Sequence, residues 1–159
     1  EGGIVKLGLG HLTSIAKSKS ADGENGPTAQ VDTVMAAVGF DKDGKVVSVK
    51  IDTAQTKVSF DKDGKLLSDP SEELKTKVEL GDEYGMKKNS SIGKEWYEQI
   101  AELEKWMTGK TLDEIKSLKT KEKDASHPAV PDDPELTSLV TISVQDYIEA
   151  VSKSYANAK

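Results

Sequence analysis

Apolar positions alternate with polar or glycine ones from Val5 to Lys17: Val5, Leu7 and Leu9 fall at period two, followed by Leu12 and Ile15. That pattern predicts an extended strand. The polar, glycine-bearing stretch from Lys19 to Pro27 has turn composition. The return arm spans about Thr28 to Phe40, with Val34, Ala36, Val38 and Phe40 on one face. Phe40-Asp41-Lys42-Asp43-Gly44-Lys45 supplies a tight turn whose glycine can take the left-handed conformation, and Val47, Val49 and Ile51 resume the alternation. The same turn recurs at Phe60-Asp61-Lys62-Asp63-Gly64-Lys65, between Lys57 to Phe60 and Leu66 to Leu67. Three or four consecutive antiparallel strands therefore form a meander, in which a turn is reused rather than a solenoid unit repeated.

Beyond Leu67 the period changes to that of helices. Asp69-Pro70-Ser71-Glu72 combines an N-cap acceptor, a proline at the first helical position and a capping glutamate, predicting a short helix with Leu74 and Val78 that Gly81 ends. A longer helix is predicted from about Ser91 to Thr108. Its Ile92, Trp96, Ile100, Leu103 and Met107 are spaced four, four, three and four, and Gly109 is its stop. Thr111-Leu112-Asp113-Glu114 is a further capping box, for a helix burying Leu112, Ile115 and Leu118. Lys119 to Pro134 is charged, holds three prolines and reads as a surface loop. Leu139 to Ile142 predicts a last strand. Ser143, with Asp146 three residues on, predicts the cap of a helix whose Val144, Tyr147, Ile148, Val151 and Tyr155 share a face. Strands first, helices after and one strand returning late describe a single α+β domain over residues 1–159: an antiparallel meander of four to six strands packed against three or four helices.

Composition narrows the chemistry. The chain of 159 residues carries 22 basic and 28 acidic side chains, a net charge of −6, which argues against a general nucleic-acid surface. All the basic residues are lysine, so an anion site must use lysine, hydroxyls or backbone amides rather than the planar arginine fork. There is no cysteine, and the two histidines, His11 and His127, stand far apart, so thiolate chemistry is excluded and a histidine-rich metal site is not expected. The longest apolar run, Val34 to Val38, is strand-sized and cannot cross a bilayer. The start Glu1-Gly2-Gly3 lacks an initiator methionine, which reads as a processed or truncated product whose targeting segment lies upstream. Absence of cysteine with abundant Lys, Ser, Thr and Asp suits an exported bacterial protein, and a low-cysteine cytosolic protein would look the same.

The candidate motifs divide on their flanks. If Asp41 and Asp43 took positions three and five of a calcium loop, Gly39 and Lys50 would stand at positions one and twelve; in the second copy these are Ser59 and Pro70. The bidentate glutamate is missing both times, and a hairpin turn explains Asp and Gly there. His11 lies in the glycine-flanked segment Gly8 to Ser14, where backbone could approach a ligand, but a strand with a bulge is the favoured account of the glycines. His127, beside Pro128, reads as a solvated loop residue, and neither histidine has triad spacing. The carboxylate pairs Glu72 and Glu73, Glu102 and Glu104, and Asp132 and Asp133 read as solvated faces. Hydroxyls and lysines gather at Ser90, Ser91 and Lys94 where the long helix is expected to begin. Free amides and the helix dipole make that place an anion-site candidate beside an ordinary serine cap. Trp96 reads as core, and Trp106 is a candidate exposed contact.

Two segments carry a resemblance. Gly93-Lys94-Glu95-Trp96-Tyr97-Glu98-Gln99-Ile100-Ala101-Glu102-Leu103-Glu104-Lys105, and Thr141-Ile142-Ser143 with Ile148-Glu149-Ala150-Val151, resemble the FMN-binding domain family of exported bacterial lipoproteins and sodium-pump subunits. In that family Ser-Gly-Ala-Thr presents a threonine for covalent attachment of FMN through its phosphate. Thr141 matches that threonine, but Ser138-Leu139-Val140 precedes it, with leucine and valine where glycine and alanine would let backbone and cofactor meet closely. The resemblance implies an exported, lipid-anchored protein with no catalytic machinery of its own, acting as a ligand-binding or redox-carrier module. Thr141, Ser143, Ser90, Ser91 and Lys94 would line the site, and FMN or another small anionic ligand would fill it. Two alternatives stay open: a relative that binds FMN noncovalently, and a cell-surface interaction protein that keeps the fold without the cofactor and meets an envelope partner through its sheet edge or Trp106. The cofactor reading needs the last threonine near the mouth of the tryptophan-bearing helix with an open cleft between them, and side chains filling that gap would remove the cofactor's place there.

Overall fold

The computed structural model describes residues 3–159; Glu1 and Gly2, on which the processed-start reading rests, lie outside the described residues. Three long strands, β1 (Lys6–Ser14), β2 (Thr28–Phe40) and β3 (Val46–Ser59), form an antiparallel sheet in sequential order. Four helices follow: α1 (Lys77–Leu80), α2 (Trp96–Met107), α3 (Leu112–Lys116) and α4 (Gln145–Ala156). A two-stranded ribbon, β4 (Thr120–Lys121) with β5 (Val130–Pro131), stands between α3 and α4. The class is α+β, with three strands in the meander and two in the ribbon. No helix among the described residues is long and apolar enough to cross a membrane.

The alternation in the first third sorts the sheet into two faces. Ala36, Val38, Phe40, Val49 and Ile51 are buried against the helices, with Trp96, Ile100, Leu103 and Met107 of α2 and Val151 of α4 completing the core. Burying a side chain of this kind contributes roughly 1.5–3 kcal/mol. β2 and β3 slip register by one between Gly39 and Phe40, so Phe40 opposes Val46 while Gly39 opposes Ser48. The bulge leaves Val47 as the extra residue and turns Val46 inward.

The glycines of β1 serve packing rather than a ligand. A Cβ built on Gly8 would stand 1.9 Å from the Ser154 carbonyl oxygen, and one on Gly10 would stand 2.2 Å from that of Ala150. Only hydrogen at those two positions lets α4 lie directly on the strand. The chain end then closes the outer edge of β1: Leu7 and Lys159 exchange backbone hydrogen bonds of 2.9 and 3.0 Å, and Asn157 Nδ2 donates to the Leu9 carbonyl at 3.1 Å. The outer edge of β3 is covered as well, where Ile51 N donates to Glu104 Oε2 at 2.7 Å and Val46 N to the Lys110 carbonyl at 2.9 Å. A free meander edge, expected as a partner surface, is thus absent along these stretches. Trp106 is half-buried, with Lys110 Nζ 4.6 Å from its ring centroid.

Several predicted elements fold otherwise. Asp69 closes a turn by accepting from Ser71 N at 2.9 Å, but the chain is not helical through Leu74, which has no apolar surface to meet and remains exposed. The helix starts later, where Thr76 and Glu79 form the capping box of α1. α2 begins at Trp96 rather than Ser91, since Gly93 takes a φ of +64° and breaks the preceding turn. Leu139 to Ile142 forms no strand, and the Thr141 amide donates to a side chain instead of a ladder. The Lys119 to Pro134 loop contains the β4–β5 ribbon. Ser143 does not cap α4: its Oγ accepts from Ala129 N at 3.3 Å.

Candidate functional site

A cleft of about 370 Å³ opens where the helix-covered face of the sheet runs past its helices. Val34 of β2 with Thr53 and Gln55 of β3 contribute from the sheet, and Lys77, Tyr84 and Met86 come from α1 and the turns after it. Trp96 opens α2; Ile142, Ser143 and Tyr147 belong to the entry of α4. Ser126 and His127 reach the cleft from the β4–β5 ribbon, and Lys17 from the β1–β2 connection.

The aromatic groups are held in fixed relation. Trp96 Nε1 donates to Tyr147 Oη at 3.0 Å, and the two rings meet edge-on with centroids 5.8 Å apart. Burial pushes the Tyr147 phenol up to about 12, so it stays protonated across the physiological range. Lys77 Nζ lies 4.9 Å from the Tyr84 centroid and 5.4 Å from that of Trp96, a cation set against two π faces. Tyr84 and Met86 owe their place to buried Glu95, whose carboxylate accepts from Met86 N at 2.9 Å and Lys87 N at 3.0 Å. Tyr97 Oη donates to Asp82 Oδ1 at 3.0 Å and anchors the same segment from outside.

Two charged pairs stand at the rim. Lys17 Nζ stands 3.4 Å from Asp32 Oδ2. His127 Nδ1 lies 2.7 Å from Asp124 Oδ1, and the hydrogen bond from His127 holds that carboxyl below its usual range. Asp146 also lines the cleft. Among the described residues no cluster of three or more carboxylate or imidazole groups is placed to hold a metal ion.

Of the residues expected at the site, Ser143 lines this cleft and Thr141, Ser90, Ser91 and Lys94 do not. The helix start and the last threonine do come together, as expected, but the space between them is filled by Gln99. This fully buried amide donates from Nε2 to Ser90 Oγ at 3.3 Å and to the Lys94 carbonyl at 3.2 Å. Its Oε1 accepts from Thr141 N at 2.9 Å and Thr141 Oγ1 at 3.3 Å. Ser90 Oγ also accepts from Ile92 N at 3.3 Å and Lys94 N at 3.4 Å, so it closes a turn, and Ser91 is exposed. The anion place at the start of α2 is taken by the chain's own buried Glu95.

Gln99 was legible in principle, since it stands three residues after Trp96 and four before Leu103, on the buried stripe. The Asp124 and His127 spacing signals a side-chain-closed turn, but nothing local says that the turn folds over a cleft. Glu104, read as solvated, is half-buried against β3. The chain matches no family model and no solved structure. It is 39% identical over 77 residues to a chlorophenol reductase of Desulfitobacterium hafniense, a similarity covering 47% of this chain and 24% of that protein. The matched stretch is therefore about a quarter of the relative's length.

Proposed function

We propose that the cleft binds a flavin noncovalently, FMN in the first instance, and that the domain is a redox-carrier module of an exported, lipid-anchored bacterial protein. The observation that carries this reading is the combination of Tyr84, Trp96 and Tyr147 with Lys17, Lys77 and Ser143 in one cleft. Its volume lies in the range of roughly 300–1,000 Å³ common to small-molecule sites. The donor set fits the ring and ribityl: aromatic and apolar surface for a planar ring, and amides and hydroxyls of Gln55, Gln145, Ser126 and Ser143 for ring carbonyls and ribityl; for a phosphate the cleft offers Lys77, with Lys17 paired to Asp32. Thr141 is left out of the proposal because its hydroxyl is engaged by Gln99 outside the cleft, which disfavours covalent attachment. Flavin, when bound, supplies the electron transfer, and the protein supplies binding, orientation and electrostatics. The FMN-binding-like segments and the partial similarity to a protein named a reductase both agree with a redox role.

Protein purified from its native host is expected to show visible flavin absorbance at an unmodified intact mass. Apo protein is expected to melt higher with added FMN; saturation at a hundred times Kd corresponds to about 2.7 kcal/mol. Tyr84→Ala should weaken that binding while Thr141→Ser leaves it unchanged. Colourless native protein with no thermal response to FMN would sink the reading. A cell-surface interaction protein without cofactor is the second reading, and the sheet face turned away from the helices favours it: Leu7 and Leu9 there are 66% and 65% exposed.

A further inference from the structure

The sheet floor of the cleft runs on past the cleft itself. On β2 and β3 the opposed pairs Val34 with Thr53, Asp32 with Gln55 and Gln30 with Lys57 share the face that the helices cover further along, because alternate residues of a strand point the same way. Val34 packs on the core and Thr53 is buried, whereas Gln55 and Lys57 are exposed, so the cover stops and the floor becomes polar. A second hollow of about 510 Å³ continues along it, where Lys19, Asp22 and Asn25 of the β1–β2 connection meet Gln30 and Lys57. Lys17 lines both spaces. Backbone bonds hold the connection in place: Lys19 and Thr28 exchange hydrogen bonds of 2.8 Å, Asp22 and Asn25 exchange bonds of 2.9 Å, and Ser18 Oγ accepts from Gln30 N at 3.0 Å.

Charge changes along the same floor. In the cleft the ammonium groups of Lys17 and Lys77 are matched in number by Asp32 and Asp146, and Lys77 lies against the Tyr84 and Trp96 rings. In the hollow beyond, Lys17 is still paired with Asp32, but Lys19 and Lys57 meet a single carboxylate, that of Asp22. Glu24 of the same connection is paired with Lys62 at 3.2 Å, and among the described residues neither Lys19 nor Lys57 is in an ion pair. The positive surplus of this face therefore stands past the aromatic end. We propose that the hollow is the phosphate subsite of an extended ligand: the planar ring lies by Trp96, Tyr84 and Tyr147, and a phosphate monoester at the end of its arm is held by Lys19 and Lys57, with the Asn25 amide as a neutral donor. Gln30 is two sheet pairs from Val34, about 13 Å at about 3.4 Å per residue, which an extended ribityl phosphate arm and a lysine stem cover together. This rests on the flavin reading for the ring and goes beyond it in placing the anion outside the cleft rather than at Lys77.

The test is calorimetric binding of FMN and of riboflavin to the full chain at low and at high salt, with Lys57→Gln, the double variant Lys19→Gln/Lys57→Gln and Lys77→Met beside it. Lys57→Gln is expected to weaken FMN about five- to tenfold, the low end for a hydrogen bond to a charged group because this ammonium is exposed, and to leave riboflavin unchanged. The double variant should bring FMN close to the riboflavin affinity and remove most of its salt dependence. Lys77→Met should weaken both flavins alike, since that ammonium lies at the rings. A preference for FMN that survives in the double variant and is lost in Lys77→Met, or equal binding of FMN and riboflavin to the unaltered chain, overturns the proposal and leaves the flavin reading standing. If neither flavin binds, the flavin reading fails, and the hollow is tested alone by titrating inorganic phosphate while the side-chain amide signals of Asn25 and Gln30 are followed by NMR. A saturable movement that is absent in the double variant supports an anion site there, and unmoved signals overturn it.

Discussion

Phe40-Asp41-Lys42-Asp43-Gly44-Lys45 and Phe60-Asp61-Lys62-Asp63-Gly64-Lys65 fold into the same turn and then part company. In each, the first aspartate Oδ1 accepts from the backbone N–H groups two and four residues on, all at 2.9 Å, and the glycine takes a positive φ, +78° at Gly44 and +84° at Gly64. After the first turn the chain runs on as β3, paired with β2 along its whole length. After the second, a single bridge between Phe60 and Leu66 forms and the strand stops. The difference lies in what waits beyond the turn. Val46 is received by the Gly109 and Lys110 backbone and buried, whereas Leu66 and Leu67 meet no layer and stay exposed. A turn is a local agreement between side chain and backbone, but a strand persists only where a face is covered.

The largest test of that contrast is at the aromatic that opens each turn. Phe40 is buried and meets Tyr155 edge-on at 5.2 Å, so Phe40→Ala is expected to lower the unfolding free energy by about 3–5 kcal/mol. Phe60→Ala, at a half-buried site, should cost less than about 1.5 kcal/mol. Equal losses in urea titrations would contradict the claim that only the first copy is built into the core.

The glycines sharpen it further. Forcing a Cβ into the left-handed conformation costs roughly 1–2 kcal/mol at either site. For Gly44→Ala that loss should appear in global unfolding. For Gly64→Ala it should appear as faster amide exchange confined to residues 60–68, with a global midpoint changed by less than about 0.5 kcal/mol. A global loss in both variants would mean that the second turn is as coupled as the first.

Glu104 offers a smaller, pH-dependent effect, because it holds β3 beyond the first turn and has no counterpart at the second. Burial raises its carboxyl above 4.5 despite the hydrogen bond from Ile51 N. A raised carboxyl binds its proton more tightly in the folded chain; its contribution is full below 4.5 and is lost as pH rises through the folded value. Glu104→Gln keeps the acceptor and removes the ionisation, so it should stabilise slightly at pH 7, by about 0.3 kcal/mol given the screening of a half-solvated group. That gain should vanish at pH 3.5, and destabilisation at pH 7 would show that the charge itself holds the strand.

The smallest effect is the titration of Asp41, whose carboxyl is held below 3.8 chiefly by the Lys45 N–H. With the folded value depressed, its contribution is present above 3.8 and is lost as pH falls through that lower value. Carbon-detected NMR should place its midpoint below 3.8, and Lys45→Pro, which removes the donor, should return it toward 3.8.

Residue patterns that encode local geometry were readable before any coordinates. The alternation of β2, the Thr111 and Glu114 capping box and the stop at Gly109 reappear as expected, because each depends on neighbours within a few residues. Patterns whose meaning depends on a distant partner were misread. The Asp69 cap opened only a turn, since Leu74 had nothing to bury against, and the helix carrying Val78 starts at Lys77 instead. Leu139 to Ile142 found no strand to pair with. Gly8 and Gly10, read as marking a bulged strand ahead of a ligand approach, lie in a stretch of β1 without a register shift and are the seat of α4, 140 or more residues away in the chain.

The site divides along the same line. Sequence alone determined the α+β class, the all-lysine basic set, the lack of any thiol and the amphipathic helices that carry Trp96 and Tyr147, because composition and periodicity are properties of the chain itself. Tertiary structure decided that Gln99 fills the gap beside Thr141 and that Lys77, Tyr84 and His127 surround Ser143 instead. The placement of a cleft follows from which faces remain uncovered once the layers have packed, and no local pattern records that.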